Sequence, residues 1–227
     1  MFNIILPINF NSPYKSTNIQ EFWRKWHITL GRFMTNYLYI PLGGNRKGEL
    51  KTLRNLFIVF LASGIWHGAG WNFVIWGMLH GICILIHRIW KNTGRKLPKL
   101  IGWFITINLV NIFWVFFRAE NLESAVKVLK GMADINGFIY LLKNPTRVLE
   151  ITEELRKMAA ERLGGLGNKE GILILIISII LAFLVKNSHE KIKNFKIKID
   201  YSFEILFYMI FSIFSLTGMS TFLYFNF

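Results

Sequence analysis

The sequence predicts an all-α, polytopic membrane protein with about five apolar spans or re-entrant segments and one amphipathic helix lying in the membrane interface. Three observations carry this expectation. Of 227 residues, 53% are hydrophobic and 16% aromatic, 21 of them Phe, which is richer in large apolar side chains than a soluble core of this size needs. The apolar residues gather into long stretches at 53–71, 72–90, 100–117, 171–186 and 203–225, most of them near the roughly 20 residues that a bilayer core requires. The cations fall in the gaps between those stretches, at Arg46, Lys47, Lys51 and Arg54, at Lys91, Arg95, Lys96 and Lys99, and from Lys186 to Lys198.

The placement of charge decides among partners. Twenty-seven Lys and Arg against 13 Asp and Glu give a net charge of +14, a balance that would suit nucleic acid, an anionic membrane face or an acidic partner. Cations confined to the connections between apolar stretches match membrane loops, and no recognition motif accompanies them, so the sequence points to membrane lipid and away from nucleic acid. The one cysteine, Cys83, allows neither an intrachain disulfide nor a thiolate metal cluster and reads as apolar filling. Residues 1–10 lack the basic start and cleavage site of a signal peptide.

From Asn18 onward, Ile19, Phe22, Trp23, Trp26, Leu30, Phe33, Met34 and Tyr37 recur at spacings of three and four, predicting a single helix with one apolar stripe. Asn18 with Glu21 three residues on makes a cap, and Pro41 followed by Gly43 and Gly44 ends the element. Aromatic rings beside Arg24, Lys25 and Arg32 place this helix in the interface; a soluble amphipathic helix packed on a core is the alternative. The first two long stretches are interrupted by Gly64, His67, Gly68, Gly70, Asn72, Gly77, His80 and Gly81, residues that suit a helix packed closely on a neighbour or lining a cavity, with a break around residues 68–72. The polar interval 118–170 reads as an extramembrane helical insertion within a single membrane domain of residues 1–227, with helix starts after Asn121 and after Asn144-Pro145. If each stretch crosses once, the loops before the first, between the second and third and between the fourth and fifth collect most of the cations, which places them in the cytoplasm.

Five histidines are present, His27, His67, His80, His87 and His189, and an ionisable group at membrane depth is a functional candidate by default. His67 lies in Ser63-Gly64-Ile65-Trp66-His67-Gly68, where small neighbours leave room for a substrate beside the imidazole. A neutral imidazole can take a proton from a hydroxyl and return it to a leaving group, as acyl transfer to an alcohol requires. From composition alone, an interhelical hydrogen-bonding role for His67 is the favoured reading. Other chemistries fit less well. The spacing of His67, His80 and His87 is not that of a zinc hydrolase, so no metal is expected. Gly43-Gly44 reads as a turn and not a phosphate cradle, and Ser63 lacks a nucleophile-elbow context.

Several strings in register narrow the choice. Asn9 to Tyr14, Glu21 to Leu30 (with Trp23-Arg24-Lys25-Trp26-His27), Tyr37 to Arg46, Ser63 to Gly68, Trp76 to Gly81, Trp114 to Glu120 and Phe222 to Phe227 together resemble the membrane-bound O-acyltransferase family, most closely its branch that O-acetylates alginate and cell-wall polysaccharides. That resemblance implies a multi-pass protein of the bacterial cytoplasmic membrane. It implies transfer of an acyl group, acetyl in this branch, onto hydroxyls of an exported polysaccharide. His67 becomes the catalytic base or acyl relay and His27 the second catalytic residue. Trp66, Asn72 and Trp76 fall against the substrate; His80 belongs to a family motif too, where a structural role suits it better than a substrate contact. The implied donor is an activated acyl group, acetyl-CoA or a carrier thioester, used as substrate, with no tightly bound cofactor. The implied partners are the polysaccharide acceptor or an extracytoplasmic acetylation protein. Members of the family are about twice as long and begin with further transmembrane helices. The sequence therefore also fits a noncatalytic fragment, or one half of a split enzyme that works with a separate N-terminal half; a transporter, the remaining alternative, would call for paired intramembrane acids that are not seen.

Overall fold

A computed structural model describes residues 7–144 and, beyond them, residues 177–178, 180–183, 185–193, 203, 206, 209 and 210. Every regular element among the described residues is helical, as expected. The chain divides into two compact units, Met1–Val185 and Lys186–Phe227. The described helix of the second unit is Ser188–Lys193, started by Asn187 Oδ1, which accepts from the Glu190 amide.

In the first unit a 3-10 turn at Pro13–Lys15 leads into α1, Ile19–Lys25. The expected cap is present: Asn18 Oδ1 accepts from the Glu21 amide at 2.8 Å. The expected single helix is not. Trp26 is extended, His27 takes a left-handed conformation at φ 46° and ψ 53°, and only then does α2, Ile28–Met34, begin. The reason is a competing strand of backbone. Asn11 donates to the Lys25 carbonyl and Ile28 donates to the Asn9 carbonyl, both at 2.9 Å. The Thr29 hydroxyl donates to Asn9 Oδ1 at 2.8 Å. Those bonds use groups that a continuing helix would have paired within itself. Beyond α2 the chain widens into a π turn over Thr35–Tyr39.

The first long apolar stretch is α3, Glu49–His67. The predicted break falls where the small residues are: α3 stops at His67, and Gly70 leads into α4, Trp71–Asn92. The two helices run antiparallel with their closest crossing at Gly64 and Gly77, where the Cα of one lies 3.0 Å from a Cβ built on the other. Only the absence of side chains allows such an approach. The third stretch is α5, Lys99–Arg118. Helices α4 and α5 are long and apolar enough to cross a membrane, and Trp71 and Trp90 stand near the two ends of α4 as interfacial rings do. Helix α3 falls short because Lys51, Arg54 and Asn55 occupy its first turns. The fourth and fifth expected spans lie largely outside the described residues, so about five spans stays an expectation.

Two short helices follow, α6 at Leu122–Met132 and α7 at Ile135–Lys143. Asn121 Oδ1 accepts from the Ser124 amide at 2.8 Å and so starts α6 where the sequence placed a start. The helix expected after Asn144-Pro145 lies outside the described residues. The core joins α1 to α4 and α5: Ile19, Phe22, Ile84 and Val110 are buried together, with Trp23, Trp26, Leu56, Phe60, Cys83 and Trp114 packed against them. Cys83 thus fills apolar space.

Candidate functional site

The end of α3, the first half of α4 and the end of α5 bring one group of rings together. His67, half-buried, meets Trp66 at 4.9 Å, Trp76 at 5.2 Å and Phe117 at 5.0 Å between ring centroids, all close to edge-on. Such a collar fixes the plane of an imidazole while leaving its edge open. Trp66 is 57% exposed and Trp76 only 3%, so the collar has an open side and a packed side.

One helical turn further into α4, His80 is fully buried. The Trp23 indole donates to its Nδ1 at 3.2 Å. Trp23, Trp76 and Phe113 each lie 4.8 Å from its ring. Its Nε2 and the Nε1 of Trp76 are buried with no hydrogen-bond partner among the described residues. Trp76 therefore stands between His67 and His80 and touches both.

His27 arrives from another direction, on the left-handed residue between α1 and α2. Its Nδ1 is buried and unpartnered among the described residues. Burial holds its pKa below the ordinary histidine value, which keeps the ring neutral in neutral solution. His27 and His67 are near enough for a charge on one to act on the other. Asn72 is buried, and its amide donates to the Ala119 carbonyl at 2.7 Å, which ties the start of α4 to the end of α5.

A cavity of about 700 Å³ opens beside this group, with His27, Trp23, Phe60 and Ser63 in its wall. Ser63 and His67 are four residues apart on α3 and share a face, so the cavity wall leads toward the catalytic candidate. Arg24, Arg32, Arg88, Lys91 and His87 also line it. Arg88 is held by Glu49 at 2.6 Å, while Arg24, Arg32 and Lys91 have no carboxylate partner among the described residues.

Of the residues expected from sequence, the structure brings His67, Trp66, Trp76 and His80 into one group and sets His27 at the wall of the adjoining cavity. The sequence reading missed Trp23, Phe113 and Phe117 as ring neighbours and missed the cationic lining. Trp23 and Phe117 sat inside quoted strings, but only the packing of α1 and α5 on α4 shows whom they meet. No group of three or more metal-ligating side chains occurs among the described residues.

Comparison with known proteins gives a consistent picture. The model of the membrane-bound O-acyltransferase family matches residues 2–119. A peptidoglycan O-acetyltransferase of Helicobacter pylori is 48% identical along 100% of this chain, which covers 44% of that protein. A "probable alginate O-acetylase AlgI" of Pseudomonas aeruginosa is 47% identical over 55% of this chain and 24% of its own length. A teichoic acid D-alanyltransferase of Streptococcus thermophilus is 30% identical over 52% of this chain and 34% of its own length. The chain spans less than half the length of these curated relatives.

Proposed function

Because the chain belongs to the membrane-bound O-acyltransferase family, we propose that it works as an O-acyltransferase, moving an acetyl group from an activated donor to hydroxyls of an exported cell-wall polysaccharide. The observation that carries this reading is His67, half-buried, collared edge-on by Trp66, Trp76 and Phe117, one turn from a cavity wall that also holds His27. An acceptor hydroxyl entering the open side of the collar gives its proton to His67 as its oxygen attacks the donor carbonyl. His67 then returns the proton to the leaving group. Exposed Trp66 offers a flat apolar wall to a sugar or acyl group while buried Trp76 backs the His67 ring, and His27, kept neutral by burial, is suited to hydrogen-bond an oxygen of donor or acceptor.

The donor enters through the cavity. Arg24, Arg32 and Lys91 suit the phosphates of a thioester donor such as acetyl-CoA or a carrier arm, with Leu56, Val59 and Phe60 against its apolar part. No tightly bound cofactor is part of the scheme. The setting is the bacterial cytoplasmic membrane, crossed several times, with acceptor polysaccharide or an acetylation partner protein on the outer side.

The test is acetyl incorporation into polysaccharide by membranes in which the chain is co-expressed with a polypeptide supplying the rest of the relatives' length. His67→Ala should lower incorporation by about 100-fold or more, the scale of a lost general base. Incorporation that survives the substitution removes His67 from the chemistry.

A further inference from the structure

We propose that His80 is a positioning residue: a tautomer-locked imidazole that ties Trp23 of α1 to α4 and, through Trp76, sets the plane in which the His67 ring is held. The inference deepens the acyl-transfer reading and rests on it for the role of His67.

The lock follows from the donor inventory. An indole N–H donates and has no lone pair to offer, so Nδ1 of His80 must be unprotonated for the 3.2 Å bond from Trp23 to exist. The ring's one proton is then on Nε2. Full burial and three rings at 4.8 Å leave the imidazole no second rotamer of comparable packing. Among the described residues the Trp23 bond is the hydrogen bond that the His80 ring makes, and Nε2 and the neighbouring Trp76 Nε1 are buried without a partner there. What the imidazole supplies that an apolar side chain could not is therefore the bond to Trp23, which fixes the plane of both rings.

What it orients lies on either side. Trp76 is 4.8 Å from His80 and 5.2 Å from His67, at interplanar angles of 69° and 88°, so a tilt of the His80 ring is passed to His67 through one rigid indole. On the other side, Trp23 lies on α1, which ends just before His27. One hydrogen bond thus links the frames of both catalytic candidates.

The test reads His67 directly. In membranes carrying the full chain, the rate at which diethyl pyrocarbonate modifies His67 is followed by peptide mass spectrometry as a function of pH, alongside thermal unfolding. His80→Asn leaves an amide oxygen near the place of Nδ1 for the Trp23 indole, and should keep the His67 profile within about twofold of the parent. His80→Leu and Trp23→Phe both remove the bond, and each should change the rate or its pH midpoint by about fivefold, with the double substitution no worse than either alone. Should His80→Leu fail to fold, Trp23→Phe with His80→Asn decides the matter. A His67 profile unmoved by Trp23→Phe in folded protein, or one moved as far by His80→Asn as by the bond-breaking changes, overturns the proposal. Because the readout needs no acyl transfer, the two readings fail separately: absent incorporation in the co-expression assay refutes acyl transfer, while a responsive His67 profile leaves the coupling of His80 to His67 standing.

Discussion

Replacing Gly77 by alanine should destabilise the protein, although alanine favours a helix over glycine by about 1 kcal/mol. A Cβ at position 77 would lie 2.5 Å from the Phe60 carbonyl oxygen and 3.0 Å from Gly64 Cα. Carbon and oxygen on adjacent helices normally come no closer than about 3.3 Å, so α3 and α4 must part by about 0.8 Å. The obstacle is backbone and cannot rotate aside. Overpacking of this kind costs about 1–3 kcal/mol, and with an immovable carbonyl the net loss should be about 2 kcal/mol. Gly131 supplies the control, since it lies in α6 with nothing within 4 Å of its Cβ direction. Gly131→Ala should therefore gain up to about 1 kcal/mol. Two chemically identical substitutions then differ by about 3 kcal/mol, roughly 6–12 °C in melting temperature for a chain of this size. Thermal unfolding of detergent-solubilised protein, followed by size-exclusion chromatography, measures the gap. Because His67 closes α3 and Trp76 is on α4, the same parting should lower transfer activity more than the stability loss accounts for. A Gly77→Ala protein that melts as high as Gly131→Ala would refute the steric reasoning.

Three further outcomes follow from the same geometry. Asn55 is fully buried and donates to the Leu42 and Gly44 carbonyls at 3.2 and 3.0 Å; Asn55→Ala should cost about 1–3 kcal/mol and speed hydrogen exchange at the Gly44 amide. The folded pKa of His27 is depressed by burial from the ordinary 6.5, so below that value the unfolded chain binds the proton and the folded one resists it. Stability should therefore fall as pH drops below the ordinary value, and His27→Gln should flatten that part of the melting-temperature profile. Glu49 and Arg88 meet at 2.6 Å on the exposed end of α3 and α4; Glu49→Gln should leave the melting temperature nearly unchanged, and adding salt to the parent should do little more.

How far the sequence was legible depended on the range of the interaction. Caps at Asn18 and Asn121 are local, and both form where a side-chain oxygen stands three residues before a free amide. The turn between α3 and α4 was legible because Gly68 and Gly70 bracket it. The break at Trp26–His27 was not, since the apolar spacing runs through it undisturbed and the groups that break the helix come from Asn9 and Asn11. At the site, the strings single out His67 and His27 as candidates, but the link from Trp23 to His80 spans 57 positions and no spacing rule reaches it. Asn72 likewise reaches beyond any spacing rule: its amide donates to the Ala119 carbonyl, 47 positions away.

The left-handed backbone of His27 bears on how that position can be interrogated. Side chains with a Cβ occupy this region at a penalty of about 1–2 kcal/mol, which glycine escapes and asparagine bears more easily. Alanine there would delete an imidazole and keep the penalty, glycine would delete both, and asparagine would keep a hydrogen-bonding group on a tolerant hinge. Comparing the three separates reagent from joint: activity tracking the imidazole would be lost equally in all, whereas activity tracking the bend would return in the order alanine, asparagine, glycine.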